Sequence, residues 1–389
     1  MIDIERIRSD CPACQQLIHF NNAGCSLSPT PVNEAILAHL KLEQQLGGYE
    51  AAELASNSID NFYGAFGKLL NCSPGEIAYV ENATRAWDMA LHSIRFASGD
   101  QILTGEMEYA SNYLELLHLA RQKNVEIKLV PTDASGCIDL DQLENTISAR
   151  TRLIALTHIA SQRGDIQPAV EVGQIARTNK VVFLLDACQS AGQLPLDVSE
   201  LGCDMLCGTG RKYLRGPRGT GFLYINKDRL EELEPVFIDL HSAQWTDAGN
   251  YSLRADARRF ENWEQFIAGK IGLGVAVNYA LEIELPFIRS RIEELVTHFR
   301  NRASAVQGIR ILEQSSAPSG IITFIKQGAS ANVLQKKFRS NKMNISVSKQ
   351  ANAQLDLGRN KLGDINRVSL HYYNTAQEID QFIELLGTL

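Results

Sequence analysis

Val181-Val182-Phe183-Leu184-Leu185-Asp186 is an unbroken apolar run that ends on a carboxylate. With no polar alternation it reads as a strand buried on both faces, the kind found inside a parallel sheet wrapped by helices. A carboxylate at the end of such a strand is costly to bury unless a cation or strong donors meet it. A helix-capping aspartate at the strand exit is the plain alternative for Asp186. About one strand later the apolar Met205-Leu206 leads into Cys207-Gly208-Thr209-Gly210-Arg211-Lys212. A lysine just past a buried strand, flanked by glycines that let backbone approach a ligand, can lose its proton and form an imine. By itself the set Arg211, Lys212, Arg215 and Arg218 also reads as a solvated basic loop.

Working outward, apolar strands alternate with helical patterns from about residue 75 to 225. The expected strands are Ile77 to Val80, Gln101 to Thr104, Val125 to Val130, Leu153 to His158, Val181 to Leu185, Asp204 to Cys207 and Gly221 to Ile225. That pattern predicts an α/β fold whose chemistry lies at the carboxyl ends of the strands. After about Glu261 it gives way to long amphipathic helices, Gln265 to Ile283 and Pro286 to Ala305, then short strands and a last helix from Ala376. Pro286 suits a first helical turn. The expected division is a large domain over 16–260 and a smaller α+β domain made of 1–15 and 261–389.

The 389 residues are 44% hydrophobic and 21% charged, enough for a large core. Lys and Arg total 38 against 45 Asp and Glu, a net charge of −7, and no dense basic run occurs. Nucleic acid is not expected as a partner, since phosphate backbones require clustered cations. No apolar run approaches spanning length and no leader pattern opens the chain, so a cytoplasmic protein without a membrane partner is expected. The eight cysteines suggest neither a disulfide frame nor zinc ligands. Cys11 and Cys14 form a CxxC with no second pair nearby, which reads as coincidence. GxGxxG, GxxxxGK[ST] and HExxH are all absent, and no metal site is expected. Gly216-Pro217-Arg218-Gly219-Thr220-Gly221 reads as a tight turn into the next strand.

Asp186 and Lys212 together describe a pyridoxal 5'-phosphate (PLP) site: the carboxylate keeps the pyridine nitrogen protonated, and the lysine holds C4' as a Schiff base and later shuttles the α-proton. Asp186-Ala187-Cys188-Gln189-Ser190-Ala191-Gly192 resembles the DxxQxxG segment of class V aminotransferases and cysteine desulfurases. Thr209-Gly210-Arg211-Lys212 resembles their S-x-H-K. The resemblance covers nearly the whole chain and implies a fold type I transferase: a mainly parallel seven-stranded sheet, a smaller α+β C-terminal domain, and a homodimer with sites at the subunit interface. Asn82-Ala83-Thr84 precedes a helix whose free N–H groups suit a phosphate, with Thr209 as a second hydroxyl. Glu108-Tyr109-Ala110-Ser111-Asn112 is similar to E-H-H-A-N, which puts Tyr109 over the cofactor ring in place of a histidine. Thr157-His158-Ile159-Ala160-Ser161 is similar to S-H-V-S-N, which sets Ser161 beside Gln189 at the ring oxygen. Arg211 completes the cofactor set. Phe20-Asn21-Asn22-Ala23-Gly24 resembles the N-N-A segment, so Asn22 and Ala23 are expected at the substrate. Arg367-Val368-Ser369-Leu370-His371-Tyr372-Tyr373-Asn374-Thr375 is similar to R-x-S-x-x-x-Y-N-T, which gives Arg367 the substrate carboxylate. In Arg259-Phe260-Glu261-Asn262-Trp263-Glu264, similar to R-F-E-x-G-T, Trp263 and Glu264 replace the Gly-Thr that reaches a phosphate across the interface.

Membership leaves the reaction open. A persulfide-forming desulfurase needs a nucleophilic cysteine ahead of the R-x-S segment. All eight cysteines lie at or before Cys207, and Ala353 falls about where that thiol belongs. The expected reaction is β-elimination of a sulfur group from a cysteine-derived amino acid, giving pyruvate and ammonia. In the segments around Asp186, Lys212 and Glu261 the chain resembles C–S lyases, particularly those cleaving hercynylcysteine sulfoxide. Arg163 and Tyr49 are candidates for recognising the substrate side chain. The alternatives are a class V aminotransferase, an amino-acid epimerase and a non-catalytic PLP-binding regulatory protein.

Overall fold

The computed structural model describes residues 3–315 and 317–389. Its central sheet has seven strands: β1 (Ile77–Val80), β2 (Gln101–Gly105), β3 (Glu126–Val130), β4 (Thr151–Thr157), β5 (Val182–Asp186), β6 (Met205–Thr209) and β7 (Gly221–Ile225). They stand in the order β1-β7-β6-β5-β4-β2-β3. Only β7 opposes its neighbours, pairing antiparallel with β1 and β6, while the remaining pairs are parallel. All seven strands coincide with runs expected from the sequence; the central ones, β5, β6 and β7, are apolar along most of their length because both faces are covered. Along β5, Phe183 and Leu185 enter one core and Leu184 the other, as the twofold alternation of side chains requires.

A second sheet of four antiparallel strands, Ile309–Ile311, Ile321–Lys326, Ile365–Ser369 and Ser346–Ser348 in that order, carries the helices Leu285–Ser304, Ala331–Ser340 and Ala376–Thr388. Pro286 sits in the first turn of the first of these. Thr375 and Glu378 form a capping box at the start of the last. The helix Ile267–Ile283 packs on Thr30–Leu46 and Ser56–Leu70. The N-terminal segment packs beside the second sheet: Ile18–His19 forms a separate parallel pair with Met343–Asn344, and Phe20 meets Phe382 edge-on at 5.6 Å. Gln193 Oε1 accepts from the Gly320 N–H at 2.9 Å, and Ser319 Oγ donates to the Gly164 carbonyl at 2.7 Å. These contacts fix the second sheet against the carboxyl ends of the first. Among the described residues no single helix is long and apolar enough to cross a membrane.

Candidate active site

Asp186 ends β5 and Lys212 lies three residues beyond β6. The two strands are adjacent, with Asp186 in register with Cys207, so both side chains reach the carboxyl edge of the sheet. Asp186 Oδ1 accepts from the Cys188 N–H at 2.8 Å and Oδ2 from Asn112 Nδ2 at 2.9 Å. Asn112 also donates to Glu108 Oε1 at 2.9 Å, and Glu108 takes the Tyr109 N–H at 2.8 Å and the Thr157 hydroxyl. Burial pushes the Glu108 carboxyl up, and Asp186 adds to the shift while Thr157 and Asn112 oppose it.

Lys212 is buried, with its Nζ 5.7 Å from the Tyr109 ring centroid. Burial lowers the proton affinity of its amine; Arg211 and Arg367 act the same way, against Cys188 and Asp186. Gly192, the last residue of the DxxQxxG segment, has φ +92°, and a Cβ there would lie 2.5 Å from the Tyr213 carbonyl. Only glycine lets the turn after Asp186 press onto the residue next to Lys212.

Asn82 caps the helix Ala83–Ser93 by accepting the Arg85 N–H at 2.9 Å. Gly221 pairs with Val80 on one side and Thr209 on the other, which brings the Ala83-Thr84 helix start beside Thr209. A Cβ on Gly221 would meet the Asn82 carbonyl carbon at 2.9 Å, so this crossing also needs glycine. Thr209 Oγ1 donates to the Thr220 carbonyl at 3.3 Å.

On the remaining side, Gln189 Nε2 donates to the Ala23 carbonyl at 3.1 Å, while its buried Oε1 has no partner. Arg211 donates to the Gly24 carbonyl, and the Ala23 N–H donates to Ser369 Oγ at 2.9 Å. Asn22 Nδ2 donates to the Ser369 carbonyl at 2.7 Å, and Asn22 Oδ1 accepts the Tyr373 hydroxyl. The Asn22–Gly24 segment is thus clamped between the Lys212 turn and the second sheet. Arg367 Nη1 donates to the Ser161 carbonyl at 2.7 Å, and its Nε is unpartnered. Burial lowers the Arg367 guanidinium to about 10, with Tyr213 opposing.

The residues expected from the sequence therefore lie along the meeting edge of the two sheets. Tyr49 does not. It is 76% exposed on the helix Gly48–Leu54 and lines a cavity of about 490 Å³ with Trp263, His241 and Arg258, whose wall includes none of Lys212, Asp186 or Arg367. Its expected loop is a helix because Gly47, at φ +98°, ends one helix and starts the next. Arg163 is buried between Asp165 (3.2 Å) and Asp356 (3.3 Å). Glu261 is likewise structural: it accepts from Tyr63, the Tyr79 N–H and Gln265, with His241 at 2.9 Å and Lys270 at 3.6 Å.

Sequence reading missed the roles of Glu108, Asn112, Thr157 and His158. Glu108 just precedes the N-cap Tyr109 of the helix Ala110–Lys123 and Asn112 lies in its first turn, so the available signal was only their closeness to a helix start. His158 donates its N–H to the Asp186 carbonyl at 3.0 Å, and burial lowers its ring to about 4.

The family model described as Aminotransferase class-V matches residues 18–382. The chain belongs to the class V aminotransferase family. Pyridoxal 5'-phosphate is the cofactor of this enzyme family. A relative named probable cysteine desulfurase, from Methanothermobacter thermautotrophicus, is 28% identical over 390 residues, covering 98% of this chain and 96% of the relative. The apo structure of cysteine desulfurase from Thermococcus onnurineus NA1 superposes with a TM-score of 0.92 at 24% identity, covering 100% of this chain and 98% of that one. The cystine C–S lyase C-DES, in complex with its reaction product cysteine persulfide, superposes with a TM-score of 0.88 at 24% identity over 97% and 98% of the two chains. These likenesses establish fold type I.

The donor set of this class V enzyme fits the cofactor. Asp186 supplies an anion held by two donors, Lys212 a buried amine, and Gln189 an unpartnered acceptor. The capped helix start at Thr84 supplies N–H groups for a phosphate.

Proposed function

We propose that the chain is a C–S lyase that removes a sulfur group from Cβ of a cysteine-derived amino acid, giving pyruvate and ammonia, with no persulfide carried on the protein. One observation supports this reading above the others. The segment ahead of the strand Ile365–Ser369 has Ala353, 6% exposed, where a persulfide-forming enzyme needs an accessible thiol. The relatives' names support a cysteine-type substrate.

When bound, the cofactor supplies an electron-accepting ring that makes the substrate α-proton removable. Lys212 holds it covalently and then takes that α-proton at Nζ, a task helped by the burial that favours its neutral amine. Asp186 keeps the ring nitrogen protonated, and Asn112 with the Cys188 N–H keeps the carboxylate aimed. Ala83 and Thr84, with Thr209, hold the phosphate. Tyr109 would lie against the ring and Gln189 and Ser161 would face its oxygen, while Arg211 fixes the Gly24 turn against the site. Arg367 binds the substrate carboxylate beside Asn22 and Ala23.

The unit we propose is a cytoplasmic homodimer. Tyr49 and Trp263, 76% and 56% exposed around one cavity, are the kind of aromatic patch that a second copy covers.

Purified holoenzyme given cysteine-type substrates without a keto acid tests the reaction. Continuous release of pyruvate and ammonia is expected. Release of alanine would favour the relatives' desulfurase chemistry, and a single turnover to the amine form of the cofactor or simple racemisation would favour the aminotransferase or epimerase.

A further inference from the structure

Arg215 lies three residues past Lys212 and is 1% exposed. Its polar partners among the described residues are a carbonyl and a hydroxyl rather than an acid: Nε donates to the Leu27 carbonyl at 2.8 Å and Nη1 to the Tyr372 hydroxyl at 2.8 Å. The rings of Tyr279, Tyr372 and Tyr373 stand 5.7, 5.3 and 4.6 Å from its Cζ, within the reach of a cation over an aromatic face. Asp10 accepts the Tyr279 hydroxyl at 2.8 Å. An arginine stays charged when buried, so a guanidinium enclosed by rings and neutral oxygens is costly to keep.

The backbone points the same way. Arg215 has φ +60°, a region where glycine is at ease and a residue with a long side chain depends on its surroundings to stay. The chain therefore sets an arginine where local preference favours glycine, and buries its charge without a carboxylate. Its side chain must hold something in return.

The contacts of Arg215 join three parts of the site. Its N–H donates to the Lys212 carbonyl at 2.9 Å, closing the turn that carries the lysine. Leu27 continues the Asn22–Gly24 segment, and its N–H meets the Tyr373 hydroxyl at 3.4 Å. Tyr372 and Tyr373 follow the strand Ile365–Ser369, which bears Arg367. The same turn is fastened a second time through His371: Nδ1 accepts the Tyr372 N–H at 2.9 Å, which leaves Nε2 to donate to the Tyr213 carbonyl at 3.0 Å.

We propose that Arg215 is a positioning residue for Lys212. Its guanidinium locks the Lys212 turn to the Leu27 carbonyl and the Tyr372 hydroxyl, so that the backbone stays fixed while the amine first bonds the cofactor and then takes the α-proton. The inference rests on Lys212 as the cofactor lysine and not on which reaction follows.

Borohydride reduction of the wild-type holoenzyme and peptide mapping come first. The reduced cofactor should sit on Lys212, and label on another lysine overturns the cofactor reading itself. Two variants then test Arg215. Arg215→Lys keeps the charge but has no planar fork to bridge both oxygens, and Tyr372→Phe keeps the rings but loses the hydroxyl. With the cofactor on Lys212, hydroxylamine should remove the cofactor absorbance several-fold faster from either holoenzyme variant than from wild type, with the larger change in Arg215→Lys. Melting temperature separates positioning from plain stability: a folded variant that melts earlier yet loses its cofactor absorbance at the wild-type rate overturns the proposal. If Arg215→Lys does not fold, the Tyr372→Phe rate decides in the same sense.

Discussion

Asn112 Nδ2 donates to Asp186 Oδ2 at 2.9 Å, and its second hydrogen goes to Glu108 Oε1. One amide therefore holds two buried carboxyl groups apart in the same fold of the chain. Asn112→Leu leaves both oxygens short of a donor, and each such loss costs about 1–3 kcal/mol. The variant should unfold at lower denaturant, and its turnover should fall at least tenfold (~1.4 kcal/mol) as Asp186 loses its aim. Wild-type turnover in a folded Asn112→Leu protein would show that Asp186 does not need this partner.

Lys212 is the buried amine that we propose holds the cofactor covalently. Wild-type protein should show an absorbance band near the visible edge that borohydride removes. Lys212→Ala should fold, lack that band and lose roughly 10²–10⁴ in turnover, the scale of a positioned acid–base group. A borohydride-sensitive band in the variant would place the bond elsewhere.

Arg367 is buried, with one nitrogen on the Ser161 carbonyl and Nε unpartnered. Arg367→Lys keeps a positive charge but loses the planar fork, and a charge-assisted hydrogen bond contributes about 1.5–3 kcal/mol. KM for an amino-acid substrate should rise roughly tenfold to a hundredfold, with a smaller change in kcat. An unchanged KM would remove Arg367 from carboxylate binding.

Burial, reinforced by Asp165, raises the Glu313 carboxyl from 4.5 to about 7, although Thr323 donates to it at 2.5 and 2.7 Å. Between those values the folded chain binds more protons than the unfolded one, so this stability is complete below about pH 4.5 and is lost as pH rises through 7. His158 acts in the opposite sense: its ring, lowered to about 4, stabilises the fold above about 6.5 and loses that contribution as pH falls through 4. Glu313→Gln removes the first effect alone. Relative to wild type it should gain stability between pH 5 and pH 8, by at most ~3 kcal/mol. Parallel denaturation curves at both pH values would show no buried ionisation at this position.

Much of the fold was legible because burial writes itself into composition. The strands β1 and β7 match their expected runs residue for residue, and the others shift by no more than two. Asp186 and Lys212 stood out as polar residues at the ends of such runs. Glu108 and Asn112 did not, since an acid and an amide near a helix start look the same whether they face solvent or a second carboxylate. Tyr49 lines a cavity away from Lys212 within one chain, since exposed aromatics belong to pockets and to interfaces alike.

By itself the order of residues determined the seven strands, the lysine and aspartate at their carboxyl ends, and the lack of a cysteine ahead of Arg367. Tertiary structure alone decided which groups support them: the Asn112 link between Glu108 and Asp186, and the Gly192 contact on Tyr213. Periodicity and composition report how deeply a residue is buried, whereas a hydrogen bond or a counter-charge depends on which distant segment the chain brings within about 3 Å.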